Sequence, residues 1–118
     1  MKENIRIKDA KEFNFIIKNG KKNSNSFFSI YYIDKKYDES RFGITLIKKF
    51  GNAVKRNYYK RVLREIIRNN INMFLNKYDY IIIIKKDCEK ISFSEIENIF
   101  IDLIKKEKKW KKNIFYYL

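Results

Sequence analysis

Residues 48–64 read Lys48-Lys49-Phe50-Gly51-Asn52-Ala53-Val54-Lys55-Arg56-Asn57-Tyr58-Tyr59-Lys60-Arg61-Val62-Leu63-Arg64, seven positive charges with no negative one. Gly51 breaks the chain and Asn52 is a natural N-cap, so a helix is predicted from about Asn52 to Leu75. At about 100° per residue, Arg56, Asn57, Lys60, Arg61, Arg64 and Arg68 share an arc of roughly 140°. Tyr59, Val62, Leu63, Ile66 and Met73 form a separate arc that faces a core. Arg56, Lys60, Arg64 and Arg68 repeat at i,i+4, a spacing at which like charges repel. Only Glu65 interrupts the strip, near its middle. Such a strip makes sense against a polyanion, whose counterions it releases. Asn57 is suited to a base edge or a 2′-hydroxyl. Lys48, Lys49 and the amides after Gly51-Asn52 form a second phosphate site.

Outward from this helix the elements alternate. Asp9 caps a predicted short helix through about Lys18, with Phe13, Ile16 and Ile17 on its apolar side. Gly20 ends it as an expected left-handed residue. Residues 21–26 are a polar loop with room for a short edge strand. Phe27–Ile33 and Arg41–Ile47 read as strands and are expected to form a hairpin across a charged turn, Asp34–Ser40. Tyr78–Ile84, bounded by Asn76-Lys77 and Lys85-Lys86-Asp87, is a third strand. Its run of isoleucines predicts cover on both faces and a central place in the sheet. A last helix is predicted from Phe93 to about Lys109, opened by a Ser92/Glu95 capping box.

The chain has 118 residues, enough for one domain. The ends, about 1–6 and 110–118, are expected to be flexible and basic. Lys and Arg total 28 against 14 Asp and Glu, a net charge of +14, and 45% of residues are hydrophobic. That balance excludes simple disorder and points to RNA, DNA or an anionic surface as partner. Lys, Ile and Asn dominate, so scattered lysines carry little weight. Arginine is rarer, and four of the six lie between Arg56 and Arg68, which points to a use for the forked guanidinium. The single cysteine, Cys88, and the charged N-terminus fit a reducing, cytoplasmic setting with no membrane span.

Catalytic chemistry is thin. There is no histidine, no zinc-type cysteine cluster and no phosphate-cradling glycine motif. Asp87 and Glu89 flank Cys88 and are expected to raise its pKa, which suits a structural thiol. Alternation puts Phe27, Ser29 and Tyr31 on one strand face and Phe28, Ile30 and Tyr32 on the other. Spacing favours core packing for these aromatics, with stacking of Phe27 and Tyr31 on unpaired bases as the alternative if one face is only partly covered.

Lys48 to Val54, then Lys55-Arg56-Asn57, Lys60-Arg61 and Arg64-Glu65, resembles the signature of the bacterial ribonuclease P protein component. The likeness extends from Lys11–Gly20 through both long strands and Tyr78-Asp79-Tyr80 to Ser92–Leu103. It implies a two-layer α+β sandwich in the order αβββαβα, ribosomal-protein-S5-domain-2-like. The sheet would have four strands, with a left-handed crossover against the general preference.

The resemblance also implies a function. The family's large RNA is the catalyst and removes the 5′ leader of precursor tRNA with Mg²⁺ held mainly by RNA. The protein binds that RNA and the leader, and no cleavage by the protein alone is expected. Partners are then ribonuclease P RNA and precursor tRNA, in a 1:1 ribonucleoprotein without membrane. The implied RNA-binding residues are Lys48, Lys49, Asn52, Lys55, Arg56, Asn57, Lys60, Arg61, Arg64 and Arg68. The implied leader cleft holds Phe13, Ile17, Phe27, Tyr31 and Thr45. Three positions depart from the family pattern. Tyr58 stands where Arg is usual, Ile17 where an aromatic is common, and Ile47 where Ser is common. A ribosomal-type RNA-binding protein, a duplex-DNA architectural protein and, last, a protein that is itself a nuclease are the alternatives.

Overall fold

The computed structural model describes residues 6–34, 40–74 and 78–105. Residues 35–39 of the expected charged turn, Asn76 and Lys77, the residues beyond Lys105 for which helix is predicted, and most of both ends expected to be flexible lie outside them. Helix α1 spans Ala10–Asn19, strands β1, β2 and β3 span Lys21–Ser24, Phe28–Asp34 and Arg41–Leu46, and helix α2 spans Ala53–Asn69. Strand β4 is Tyr78–Ile84 and helix α3 is Phe93–Lys105. Short 3₁₀ turns at Ile71–Met73 and Lys86–Lys90 flank β4.

The sheet order is β1-β2-β4-β3. The anticipated β2–β3 hairpin is absent, because β4 lies between the two strands. It pairs antiparallel with β2 and parallel with β3, Tyr31 opposite Ile81 and Ile81 opposite Gly43. The isoleucine run explains this arrangement. Ile82 and Ile84 bury toward α2 and α3 while Ile81 buries toward α1. Only a central strand has apolar cover on both sides.

Two cores result. The larger joins Phe28, Ile30, Phe42, Leu63, Ile66, Tyr80 and Phe100, among others, between the sheet and the α2–α3 layer. The Phe42 and Tyr80 rings, partners across β3 and β4, stack at 5.2 Å and 10°. The smaller core holds Ile7, Ile16 and Ile81, with Phe13, Ile17, Tyr31, Ile33 and Ile83 at its margin, under α1. The sandwich of sheet and helix pair therefore carries a further helix on its other face.

The helix ends follow from side-chain chemistry. Asp9 accepts the Lys11 N–H at 2.9 Å, and Asn52 accepts the Lys55 N–H at 3.0 Å. Ser92 and Glu95 close a reciprocal capping box. Gly51 sits at φ +130°, where a side chain would be strained. Gly20 is not left-handed as expected; its backbone is extended, at φ −80° and ψ 167°. Close approach demands glycine there, since a Cβ would lie 2.7 Å from the carbonyl oxygens of Ile16 and Tyr32. Helix α2 stops at Asn69 rather than Leu75. Asn70 turns its side-chain amide back onto the Ile66 carbonyl at 2.8 Å. Met73 consequently lies beyond the helix, half-buried.

Candidate nucleic-acid interface

The cationic strip forms as the periodicity requires. Val62, Leu63, Ile66 and Ile67 bury one face of α2, and Asn57, Arg61 and Arg68 lie exposed on another. Lys48, Lys49 and Asn52 are exposed on the approach to the helix. Three members are not simple surface cations. Arg56 donates from Nη1 to the Ile47 carbonyl at 2.9 Å and from Nη2 to the Leu46 carbonyl at 3.4 Å. It ties the start of α2 to the end of β3 while remaining half-buried. Lys55 lies on the flank, 3.6 Å from Glu89. Arg68 reaches Glu65 at 3.6 Å, an exposed i,i+3 pair of small energetic weight.

The aromatic candidates divide. Phe13, Ile17 and Tyr31 come together at the margin of the smaller core, between α1 and the sheet. Thr45 is on the same sheet face by register, opposite Ile83. Phe27 is not with them; it packs against the larger core, across the sheet. Strand pairing begins only at Phe28, so alternation does not reach Phe27. The Asn25 side chain accepts the N–H groups of both Phe27 and Phe28 at 2.8 Å and turns the chain there. The Phe27 carbonyl then accepts from the Lys85 N–H at 2.9 Å, which fixes the turn.

Several residues join the site that sequence reasoning missed. Lys22 holds its ammonium 5.4 Å from the Tyr31 ring centroid, and the two are cross-strand partners. Residues 6–8 run beside the edge strand β3, where the Ile7 N–H donates to the Phe42 carbonyl at 2.9 Å. This brings Arg6 and Lys8 to a cleft of about 310 Å³, shared with Phe13, Ile44, Thr45, Lys60 and Arg64. The cleft wraps the edge of β3, so the strip on α2 and the hollow under α1 are continuous. Burial, and after it the neighbouring Arg6, lowers the Arg64 pKa from its usual value. An arginine stays charged at neutral pH even so, and the crowding of cations favours an anion in the cleft. The arrangement suits a chain with phosphates along one side and bases along the other.

Arg41 braces the first turn of α1. It donates to Asp79 through Nε at 3.1 Å and Nη2 at 2.7 Å, and its Nη2 is 2.9 Å from Glu12. Its hydrogen bonds to the Asp79 carboxylate are the main reason its pKa is raised. Cys88 is fully buried, and its thiol donates to the Phe27 carbonyl at 3.5 Å. Burial first, then Asp87, pushes that thiol up to about 12. Among the described residues no three His, Cys, Asp or Glu side chains gather to hold a metal, and no helix is long and apolar enough to cross a membrane.

Comparison with known proteins places these features in a family. The ribonuclease P family model matches residues 1–108. The ribonuclease P protein component of Finegoldia magna is 37% identical over 106 residues, covering 90% of this chain and 93% of that protein. Its counterpart in Streptococcus pneumoniae is 33% identical over 112 residues, covering 95% and 91%. Among solved structures, the RNase P protein of Staphylococcus aureus superposes with a TM-score of 0.79 at 33% identity, covering 86% of this chain and 93% of that one. The RNase P protein of Thermotoga maritima gives 0.78 at 31% identity, covering 86% and 96%.

Proposed function

The chain belongs to the ribonuclease P protein family, and from that premise we propose how its surface serves the ribonucleoprotein enzyme. It is a protein subunit of ribonuclease P, the endonuclease of tRNA processing. In our reading the strip from Arg56 to Arg68, with Lys48, Lys49 and Asn52, binds the catalytic RNA. The hollow lined by Phe13, Ile17, Tyr31 and Thr45 takes the single-stranded 5′ leader of precursor tRNA. One observation carries this reading: Lys60 and Arg64 line the same cleft as Phe13 and Thr45. A leader strand leaving the catalytic RNA would meet cations and then an aromatic hollow without crossing neutral surface.

Phosphodiester cleavage needs clustered anionic oxygens for Mg²⁺, and this chain's described residues do not gather such a set. We assign the Mg²⁺ mainly to the RNA, and the protein's part to positioning and charge neutralisation. The assembly we expect is 1:1 and cytoplasmic. The test is binding of precursor and mature tRNA to the reconstituted holoenzyme. Preference for precursor that falls with Phe13→Ala supports the leader assignment, and equal binding of the two tRNAs by the parent holoenzyme contradicts it.

A further inference from the structure

Beside the cationic strip, α2 carries an apolar ledge. Val54 is 78% exposed and Tyr58, one turn on, is 49% exposed. An isolated surface tyrosine is free to change rotamer, but this one is braced. Its ring meets Tyr59 edge-on, with centroids 5.1 Å apart at 86°. Tyr59 in turn meets Phe50 at 4.9 Å and 69°, and Phe50 is fully buried. The exposed ring is thereby tied through one neighbour to the core. Arg61, three residues further along the same helix, is exposed.

A held, half-exposed ring next to a guanidinium matches one nucleotide: the base stacks and the phosphate is neutralised. We propose that Tyr58 stacks on an unpaired base of the ribonuclease P RNA, an uncharged contact on an otherwise ionic face. The proposal rests on the reading of α2 as the RNA face. Two side chains are too small a patch for a protein interface, and their neighbours Lys55 and Arg61 suit a polyanion. The catalytic RNA is the source of the base because Lys60 and Arg64 mark the side of α2 that lines the leader cleft. Tyr58 lies roughly 160° around the helix from Lys60.

The test measures binding of ribonuclease P RNA across a salt series, first without tRNA and then with precursor tRNA present. It uses full-length Tyr58→Ala, Tyr58→Phe and Arg61→Ala proteins, each with a thermal melt. Tyr58→Ala is expected to weaken binding about tenfold at every salt concentration with an unchanged salt slope. Tyr58→Phe should match the parent, and Arg61→Ala should lower the slope by about one. Tyr58→Gln, which keeps a helix former without a ring, replaces the alanine variant if that does not fold. Binding within twofold of the parent for Tyr58→Ala overturns the proposal, as does equal weakness of Tyr58→Phe. A loss seen only with precursor tRNA present assigns the base to the leader and overturns the stated source. If Arg61→Ala also leaves affinity and slope unchanged, the reading of α2 as the RNA face fails with it.

Discussion

The Phe13 ring occupies the space a side chain would need at Gly43: a Cβ there would stand 2.5 Å from Phe13 Cζ. Ile81 Cδ1 would be 2.7 Å away, closing the other side. Glycine on β3 is what lets α1 settle on the sheet with Phe13 at the mouth of the cleft. Gly43→Ala must displace the ring. It is expected to cost about 1–3 kcal/mol, as overpacking does, and to reduce the preference for precursor over mature tRNA. A thermal melt and paired binding assays check both effects, and an unaltered preference would detach Phe13 from the leader.

Arg56 and Arg61 should behave differently. Arg61 is exposed, so Arg61→Ala should weaken RNA binding and flatten its salt dependence without lowering the melting temperature. Arg56 holds the Ile47 and Leu46 carbonyls, so Arg56→Ala should also destabilise the fold by about 1–2 kcal/mol. Denaturant titrations beside filter binding separate the two. An unchanged salt slope in the Arg56→Ala, Arg61→Ala double variant would mean the strip is not the RNA face.

Tyr31→Ala should harm binding of precursor tRNA more than of mature tRNA. Lys22→Ala should do so more mildly, because Lys22 supplies a cation over the Tyr31 ring. Equal losses on the two tRNAs for Tyr31→Ala would remove Tyr31 from the leader cleft.

Much of this was legible in the sequence where the determining physics is local. Caps at Asp9, Asn52 and Ser92, the helical faces and the central isoleucine strand depend on neighbours a few residues apart. The misreadings are long-range. Adjacent in sequence, β2 and β3 do not pair, because β4 takes the edge of each. Phe27 left its alternation register because the Asn25 side chain captured the backbone. Arg6, Lys8 and Lys22 entered the site through pairings with Phe42 and Tyr31 that no spacing announces. Phe15 stands 59% exposed and is not among the residues that pack with Ile17 at the margin of the smaller core, so it does not replace the ring missing at Ile17.

Cys88 provides a pH prediction. Its thiol is pushed from 9.0 up to about 12 in the folded protein, so the fold holds its proton more tightly than the unfolded chain does. The stabilisation is fully present below about pH 9 and is lost progressively as pH rises toward 12. Cys88→Ala should flatten that alkaline decline in a denaturation series. The native thiol should also resist alkylation at neutral pH until the protein unfolds, and rapid labelling of the folded chain would contradict its burial.

The central claim is tested most directly by cleavage of a precursor tRNA at low Mg²⁺ by a bacterial ribonuclease P RNA, with and without this protein. The account predicts strong activation by the protein together with the RNA, and no cleavage by the protein without it. Unchanged cleavage while the protein still binds the RNA would contradict the account, and cleavage by the protein alone would contradict the assignment of the chemistry to RNA.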